Sequence, residues 1–376
     1  MKSLLNKCCL LLCLYLSTCS FQTNLFKEMN QKFINKNLII SPLSAYQVLG
    51  LTTNGAKGKT LEQMLLALGN KNIEELNKIN TEILKVAKQF STVEIANAIM
   101  TKFNPEKKFL LASSKYGATV ETLKSAGQVN SWCNTKTHGK IKKIINEIYP
   151  LTKMILLNAV YFKGEWFKQF IKSKTLKKPF YNLNDKSKEK KVDRMSITEN
   201  FRYYQDKELQ IVELPYRKDS MSAIVILPNE KLNINNFISE LDDQKLQHLL
   251  KKMSSNKVQL QLPKFEIEFS SGLNGFLKKL GMNDPFSSQY ADFSGMKKEK
   301  DIYIDQVIQK TYLKVDEKGT EAAAVTAVIS KGNSMSKIKK PVIYPMIIDR
   351  PFLFMLRNKK MPQNYEMLFM AKIEKL

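Results

Sequence analysis

The 376-residue chain is poor in the groups on which most enzymes rely. It has two histidines, His138 and His248, and neither stands in an HExxH or other metal-ligand spacing. A GxSxG nucleophile elbow, a P-loop and a GxGxxG turn are all missing. A Ser–His–Asp set, or a pairing of Cys133 with histidine, would have to draw on one of those two rings, and no local signature supports either. His138 precedes Gly139 in a polar turn and His248 lies on a polar, helix-like stretch, so both read as surface residues. These absences argue against an enzyme, and no metal or cofactor is expected.

Cysteine is scarce where it could matter. Four of the five, Cys8, Cys9, Cys13 and Cys19, fall in the opening MKSLLNKCCLLLCLYLSTCSFQTN. That stretch has basic Lys2 and Lys7, a short apolar core from Cys8 to Leu16, and then small or polar residues. This is the grammar of a secretory signal peptide, residues 1–20, with cleavage near Ser20 and a secreted, extracellular product. An uncleaved anchor is the alternative, and LSTC loosely resembles a bacterial lipoprotein box. Cys133 alone remains after cleavage, so no internal disulfide can form and stability must come from the core. Following Trp132 in a predicted helix, it reads as a buried, inert thiol. No Asn-x-Ser/Thr sequon occurs, and no apolar run reaches the ~18–20 residues that span a bilayer.

Arginine is also rare. Arg194, Arg202, Arg217, Arg350 and Arg357 are the only five, although the formal net charge is +25. Such a charge suits an acidic polysaccharide, nucleic acid or an anionic membrane. Arginine is the better bidentate phosphate reader, so its scarcity argues against specific nucleic-acid recognition. Lysine, asparagine and isoleucine are abundant together, which also fits a general compositional bias.

The remaining pattern is that of one mixed domain, residues 21–376, without repeats or a Pro- or Gly-rich linker. TLEQMLLALG predicts a helix capped by Thr60, with Gln63 three residues on and Gly69 as its stop. Residues 73–89 predict a second, with Ile73, Leu76, Ile79, Ile83, Leu84 and Ala87 inward. GLNGFLKKLG predicts a third. MILLNAVYFKG and MSAIVILP are continuous apolar runs suited to strands covered on both faces. KVQLQLPKFEIEF alternates as a half-covered strand does. The lysine-rich tracts 172–178 and 186–191 read as solvated loops. Helices crowd the first third and strands the rest, which predicts an α+β fold with large sheets.

Several long motifs, in order from about Asn37 to the C-terminus, resemble the serpin family. They include NLIISPLSAYQVLGLTTNGAKGKTLEQMLLALG, VNSWCNTKTHGKIKKII, LLNAVYFKGEWFKQF, ELPYRKDSMSAIVILP, LPKFEIEFSSGLNGFLKKLGMNDPF, ADFSGM and IIDRPFLFMLRN. DEKGTEAAAVTAV resembles the family's inhibitory hinge. The resemblance implies three β-sheets, about nine helices and an exposed reactive-centre loop at about 317–345. It also implies a suicide mechanism, in which a protease cuts the loop and is trapped as the loop inserts into a sheet. The hinge would comprise Glu317, Gly319, Thr320, Glu321, Ala322, Ala323, Ala324 and Thr326. The physics of the segment agrees: even-numbered positions from Thr320 to Ser330 share one strand face, and all are small or modest.

Other positions carry over singly. Ser41, Ser44 and Asn158 match the family's shutter, and Gln309 takes the place of its usual histidine. Gln309 can donate and accept but cannot act as a pH switch. Trp166 matches the breach tryptophan, and Lys264 with Glu317 a hinge ion pair. If exposed, that pair would contribute ~0–1 kcal/mol. Counting seventeen residues from Glu317 puts the reactive bond between Asn333 and Ser334, with Lys331, Gly332, Met335 and Lys337 as alternatives in neighbouring registers. Asn333 would suit an Asn-selective cysteine protease or a serine protease of loose specificity, and Lys331 or Lys337 a trypsin-like serine protease. Lys71, Lys78, Lys85 and Lys88 lie where some relatives bind heparin-like glycosaminoglycans. A monomer with no membrane partner is expected. The alternative within the family is a non-inhibitory carrier, chaperone or hormone precursor.

Overall fold

The computed structural model describes residues 19–89, 93–218, 220–320 and 342–376. The run MILLNAVYF forms β4 (Met154–Phe162), and all nine positions are buried. Its alternate residues serve two cores. Met154, Leu156, Val160 and Phe162 join the main cluster, while Ile155, Leu157, Ala159 and Tyr161 face a second one. That is what a continuous apolar strand needs, with cover on both faces. The second face is covered by α6 (Ala126–Lys136) through Val129, Trp132 and Cys133.

Earlier in the chain come α1 (Phe21–Lys32), β1 (Leu38–Ile40), α2 (Pro42–Thr53), α3 (Gly58–Leu68) and α4 (Ile73–Ala87). They are followed by β2 (Val93–Thr101), α5 (Lys107–Lys115) and β3 (Thr119–Thr122). Helix α2 opens with Pro42 at its first turn, and all twelve of its residues are buried. A helix with no wet face belongs inside a core, and α2 packs against β2, β4 and the C-terminal strand β16 (Met367–Ile373).

β4 is central to a five-stranded sheet of order β11-β12-β4-β2-β3, with β11 at Phe265–Gly272 and β12 at Gln306–Val315. β12 lies directly against β4 in parallel, Gln306–Tyr312 opposite Ile155–Tyr161. Past Tyr312 that pairing stops, while β12 continues beside β11 to Val315. β5 (Gly164–Glu165) follows β4 directly and pairs with β13 (Gly319–Thr320), which follows β12 after a tight turn.

The larger sheet has nine strands. Its members include β6 (Leu176–Tyr181), β7 (Glu189–Gln205), β8 (Leu209–Pro215), β9 (Met221–Pro228) and β10 (Ser254–Pro263). β14 (Ile343–Ile347) and β15 (Phe352–Asn358) join them, with β1 and β16 at the far side. The 17-residue β7 is shared. Its first part pairs with β6, its middle with β10 and its last four residues with β8. One strand thus joins a β6-β7-β10-β14 sheet to a β7-β8-β9-β15-β16-β1 sheet. With α7 (Ile234–Glu240), α8 (Asp243–Lys252) and α9 (Asn274–Lys279), the described residues hold nine α-helices. The α+β, three-sheet expectation agrees with this architecture.

Two local expectations are corrected. The lysine tracts are not simple loops. Lys177 and Lys178 lie in β6, Lys190 and Lys191 in β7, and Lys177 pairs with Asp193 at 3.1 Å. Charged side chains on an edge hairpin discourage pairing with other chains. Helix α3 begins at Gly58, two residues before the expected cap. Thr60 Oγ1 accepts from Asp292 N at 2.9 Å, and Gln63 Oε1 accepts from the backbone of Asn283 and Asp284. Both side chains of the apparent capping box tie α3 to a distant segment instead.

Candidate functional site

Two polar constellations interrupt the apolar five-stranded sheet. The first is a row across its middle. Asn97 of β2, Asn158 of β4 and Gln309 of β12 are successive register partners. All are buried, on the face toward α2. Gln309 Nε2 donates to Asn158 Oδ1 at 2.6 Å and to Ser41 O at 2.9 Å. Gln309 Oε1 accepts from Ser41 N at 2.9 Å. Asn158 Nδ2 donates to Asn97 Oδ1 at 2.5 Å and to Ser44 Oγ, while Ser44 Oγ donates to Asn97 Oδ1 at 3.3 Å. Thr311, next on that face of β12, donates to Ile39 O at 2.9 Å. Buried amides must find partners or lose their hydration without return. Here they find them across the strand seams, so the bonds hold neighbouring strands together.

The four residues matched to the shutter therefore meet, but Ser41 does so only through its backbone. Its Oγ is buried without a partner. Sequence reasoning missed Asn97, although its signal was the one that singled out Asn158, a lone amide in an apolar strand.

The second constellation sits at the top of the β4–β12 seam. Asp316 closes the turn after β12: Asp316 N donates to Gly319 O at 2.8 Å, and Asp316 Oδ1 accepts from Lys318 N and Gly319 N. Trp166 is held under this turn. Its Nε1 donates to Asp316 O at 2.9 Å and its backbone N to Lys318 O at 2.9 Å. The indole stacks on Tyr216, ring centroids 4.4 Å apart. Glu317 receives Lys264 Nζ at 2.9 Å and Thr175 Oγ1 at 2.8 Å. It is 8% exposed, so the pair is not the surface one considered above. Burial opposes the Glu317 charge, but the bonds from Lys264 and Thr175, with the charge of Lys264, outweigh it and hold the carboxyl below its ordinary range.

β13 is docked closely. Gly319 has φ 154°, and a Cβ there would lie 1.9 Å from Gly164 O and 2.7 Å from Glu165 Cα. Only glycine fits. Because β13 turns back from β12, it runs antiparallel to β5 and points toward the seam where β4 and β12 touch.

Glu321, Ala322, Ala323, Ala324 and Thr326 lie outside the described residues, as do Lys331, Gly332, Asn333, Ser334, Met335 and Lys337. Lys78 and Lys85 are exposed on α4, with Lys71 and Lys88 exposed beside its ends. His138 meets Glu94 at 2.6 Å on the surface, and His248 is exposed on α8. Cys133 is fully buried, and burial pushes its thiol up to about 12. An inert thiol of this kind is a poor nucleophile.

The family model described as Serpin (serine protease inhibitor) matches residues 16–376. Iripin-2 from Ixodes ricinus is 32% identical over 361 residues, covering 91% of this chain and 88% of its own. The leukocyte elastase inhibitor of Xenopus laevis is 33% identical, with 91% and 95% covered. Among solved structures, the native state of the thermophilic serpin tengpin superposes with a TM-score of 0.85 at 34% identity, covering 96% of this chain and 93% of the other.

Proposed function

The chain belongs to the serpin family, and from that premise we propose that it is a secreted inhibitor that consumes itself in trapping a protease. The observation that carries this reading is β13. Two hinge residues already run antiparallel to β5, directly above a seam where β4 and β12 lie side by side in parallel. An antiparallel strand entering between two parallel neighbours would pair with both. The small, Pro-free continuation from Glu321 to Ser330 suits such entry. Twelve residues would span ~40 Å as a strand.

The chemistry belongs to the protease. Its nucleophile attacks the carbonyl carbon of the bait residue, an acyl bond forms, the peptide C–N bond breaks, and the nucleophile's proton leaves on the new amine. With the tether cut, the hinge side inserts and carries the acyl-enzyme along before water can cleave it. The intact fold is then a kinetic trap rather than a free-energy minimum. The bait is Asn333–Ser334 by count, which favours an Asn-selective cysteine protease or a permissive serine protease. Lys331 or Lys337 in a shifted register favours a trypsin-like one. Secretion rests on the leader of residues 1–20. The exposed lysines around α4 suit a heparin-like chain as an additional partner.

The test is a covalent complex with protease, stable in boiling detergent, and mass spectrometry of the released C-terminal peptide to locate the bond. Loop cleavage should also raise the unfolding temperature greatly. Cleavage with no complex and no thermal gain across a protease panel would replace this reading with the carrier or chaperone one.

A further inference from the structure

Between α3, α4 and α5 lies an open cavity of about 880 Å³ that shares no residue with the polar row or the hinge. Its wall is apolar, formed by Leu61 of α3, Ile73 and Leu84 of α4, and Phe109, Leu111 and Ala112 of α5. Leu111 keeps 68% of its surface in water. Its rim is basic. Lys57, Lys78, Lys108, Lys115 and Lys298 border it, against the single carboxylate of Glu106. Among the described residues none of these five lysines has an ion-pair partner. Lysines close by do, Lys297 with Asp301 and Lys300 with Asp292.

The base is polar. Asn54, Asn77 and Tyr116 bond one another there. Asn80 is 0% exposed and gives Nδ2 to Leu76 O at 3.0 Å, but its Oδ1 has no donor. With no surface in water, Asn80 belongs to the closed floor beneath the cavity and offers nothing to an occupant.

Each feature narrows the occupant. The volume falls within the ~300–1,000 Å³ of small-molecule sites. An apolar wall favours hydrocarbon. A sulfated polysaccharide has little apolar surface to cover Leu84, Phe109 and Leu111 and would gain only from the rim. The unpaired lysines favour an anion and repel a cation. We propose that this cavity binds an amphipathic anion, a long-chain carboxylic acid. The carboxylate would meet the rim near Lys78 and Lys115, and the chain would cover the apolar wall. This inference stands independently of protease inhibition.

Titration calorimetry on the full chain tests it, below micellar concentrations, with stearate, dodecylammonium and a heparin oligosaccharide as probes. Stearate should bind and the ammonium should not. The oligosaccharide, held by the rim alone, should lose its affinity at modest salt, while stearate, held also by the wall, should keep part of its own. The surface variant Lys78→Glu with Lys115→Glu should weaken stearate by about tenfold or more, one tenfold step being ~1.4 kcal/mol, with its unfolding temperature unchanged as a check on folding. The proposal is overturned if stearate does not bind, if the ammonium binds as well as stearate, or if charge reversal leaves affinity intact. Binding of the oligosaccharide alone would overturn it in favour of a plain polyanion face.

Discussion

Gln309 and Asn158 are register partners across the parallel seam of β12 and β4, and their side chains are bonded at 2.6 Å. No strand can enter that seam while the bond stands. The same Gln309 holds both backbone groups of Ser41, the residue before α2. Opening the sheet therefore means exchanging a satisfied amide network for another set of partners.

Gln309→Leu should expose this dependence. It leaves Asn158 Oδ1 and Ser41 N buried without partners, at a cost of about 1–3 kcal/mol. A lower unfolding temperature of the intact protein is the expected result in calorimetry. If the chain inhibits by insertion at this seam, a faster spontaneous loss of that activity on storage should accompany it, because the seam parts more easily. Unchanged values in both assays would remove the row from any role at the seam.

The Lys264–Glu317 pair should make stability acid-sensitive. Glu317 has its carboxyl held below the ordinary value of 4.5 in the folded state. The folded chain thus binds fewer protons there than the unfolded chain. Its stabilisation is fully present above pH 4.5 and is lost as pH falls through the lower folded value. Glu317→Gln should flatten the acid limb of a plot of unfolding temperature against pH, with Lys264 left unpaired. Lys264→Met should cost more than the ~0–1 kcal/mol of an exposed pair and less than the ~3–5 kcal/mol of a fully buried one, since Lys264 keeps 32% of its side chain in water.

Cys133 offers a reporter of opening. Its thiol is buried under α6 and pushed up to about 12, so almost no thiolate exists near neutral pH. A thiol-specific reagent should leave Cys133 of the folded protein unlabelled for hours and reach it at once in denaturant. Rapid labelling of the native protein would mean that α6 lifts from the sheet far more often than its packing suggests.

Much of this architecture was legible in the chain, for identifiable reasons. The strand MILLNAVYF carries its own cover requirement in nine successive buried positions, and Asn158 stands out within it. Asn97 carried the same signal more weakly, between two alanines. Contacts between distant segments left no local trace. Thr175 reaches Glu317 across 142 positions, and Asp316 serves Trp166 through a backbone oxygen that any residue would offer. Thr60 and Gln63 have the spacing of a capping box, yet both bind residues more than two hundred positions away. Tertiary partners compete with local ones for the same side-chain groups, and spacing alone does not reveal the winner.

Gly319→Ala tests whether β13 matters at all. The added Cβ would sit 1.9 Å from Gly164 O and 2.7 Å from Glu165 Cα, and both contacts are backbone that cannot swing aside. The side of Gly164 on which a Cβ would stand is itself filled by the rings of Phe162 and Tyr216. The alanine must therefore lift β13 off β5 and break its pairing. If insertion starts from this docked pair, the variant should be cut by a target protease at the normal rate but trap fewer molecules. The number of inhibitor molecules consumed per protease inhibited should rise several-fold, and the thermal gain on loop cleavage should appear more slowly. Equal stoichiometry in wild type and variant, with the same cleavage rate, would show that insertion begins elsewhere.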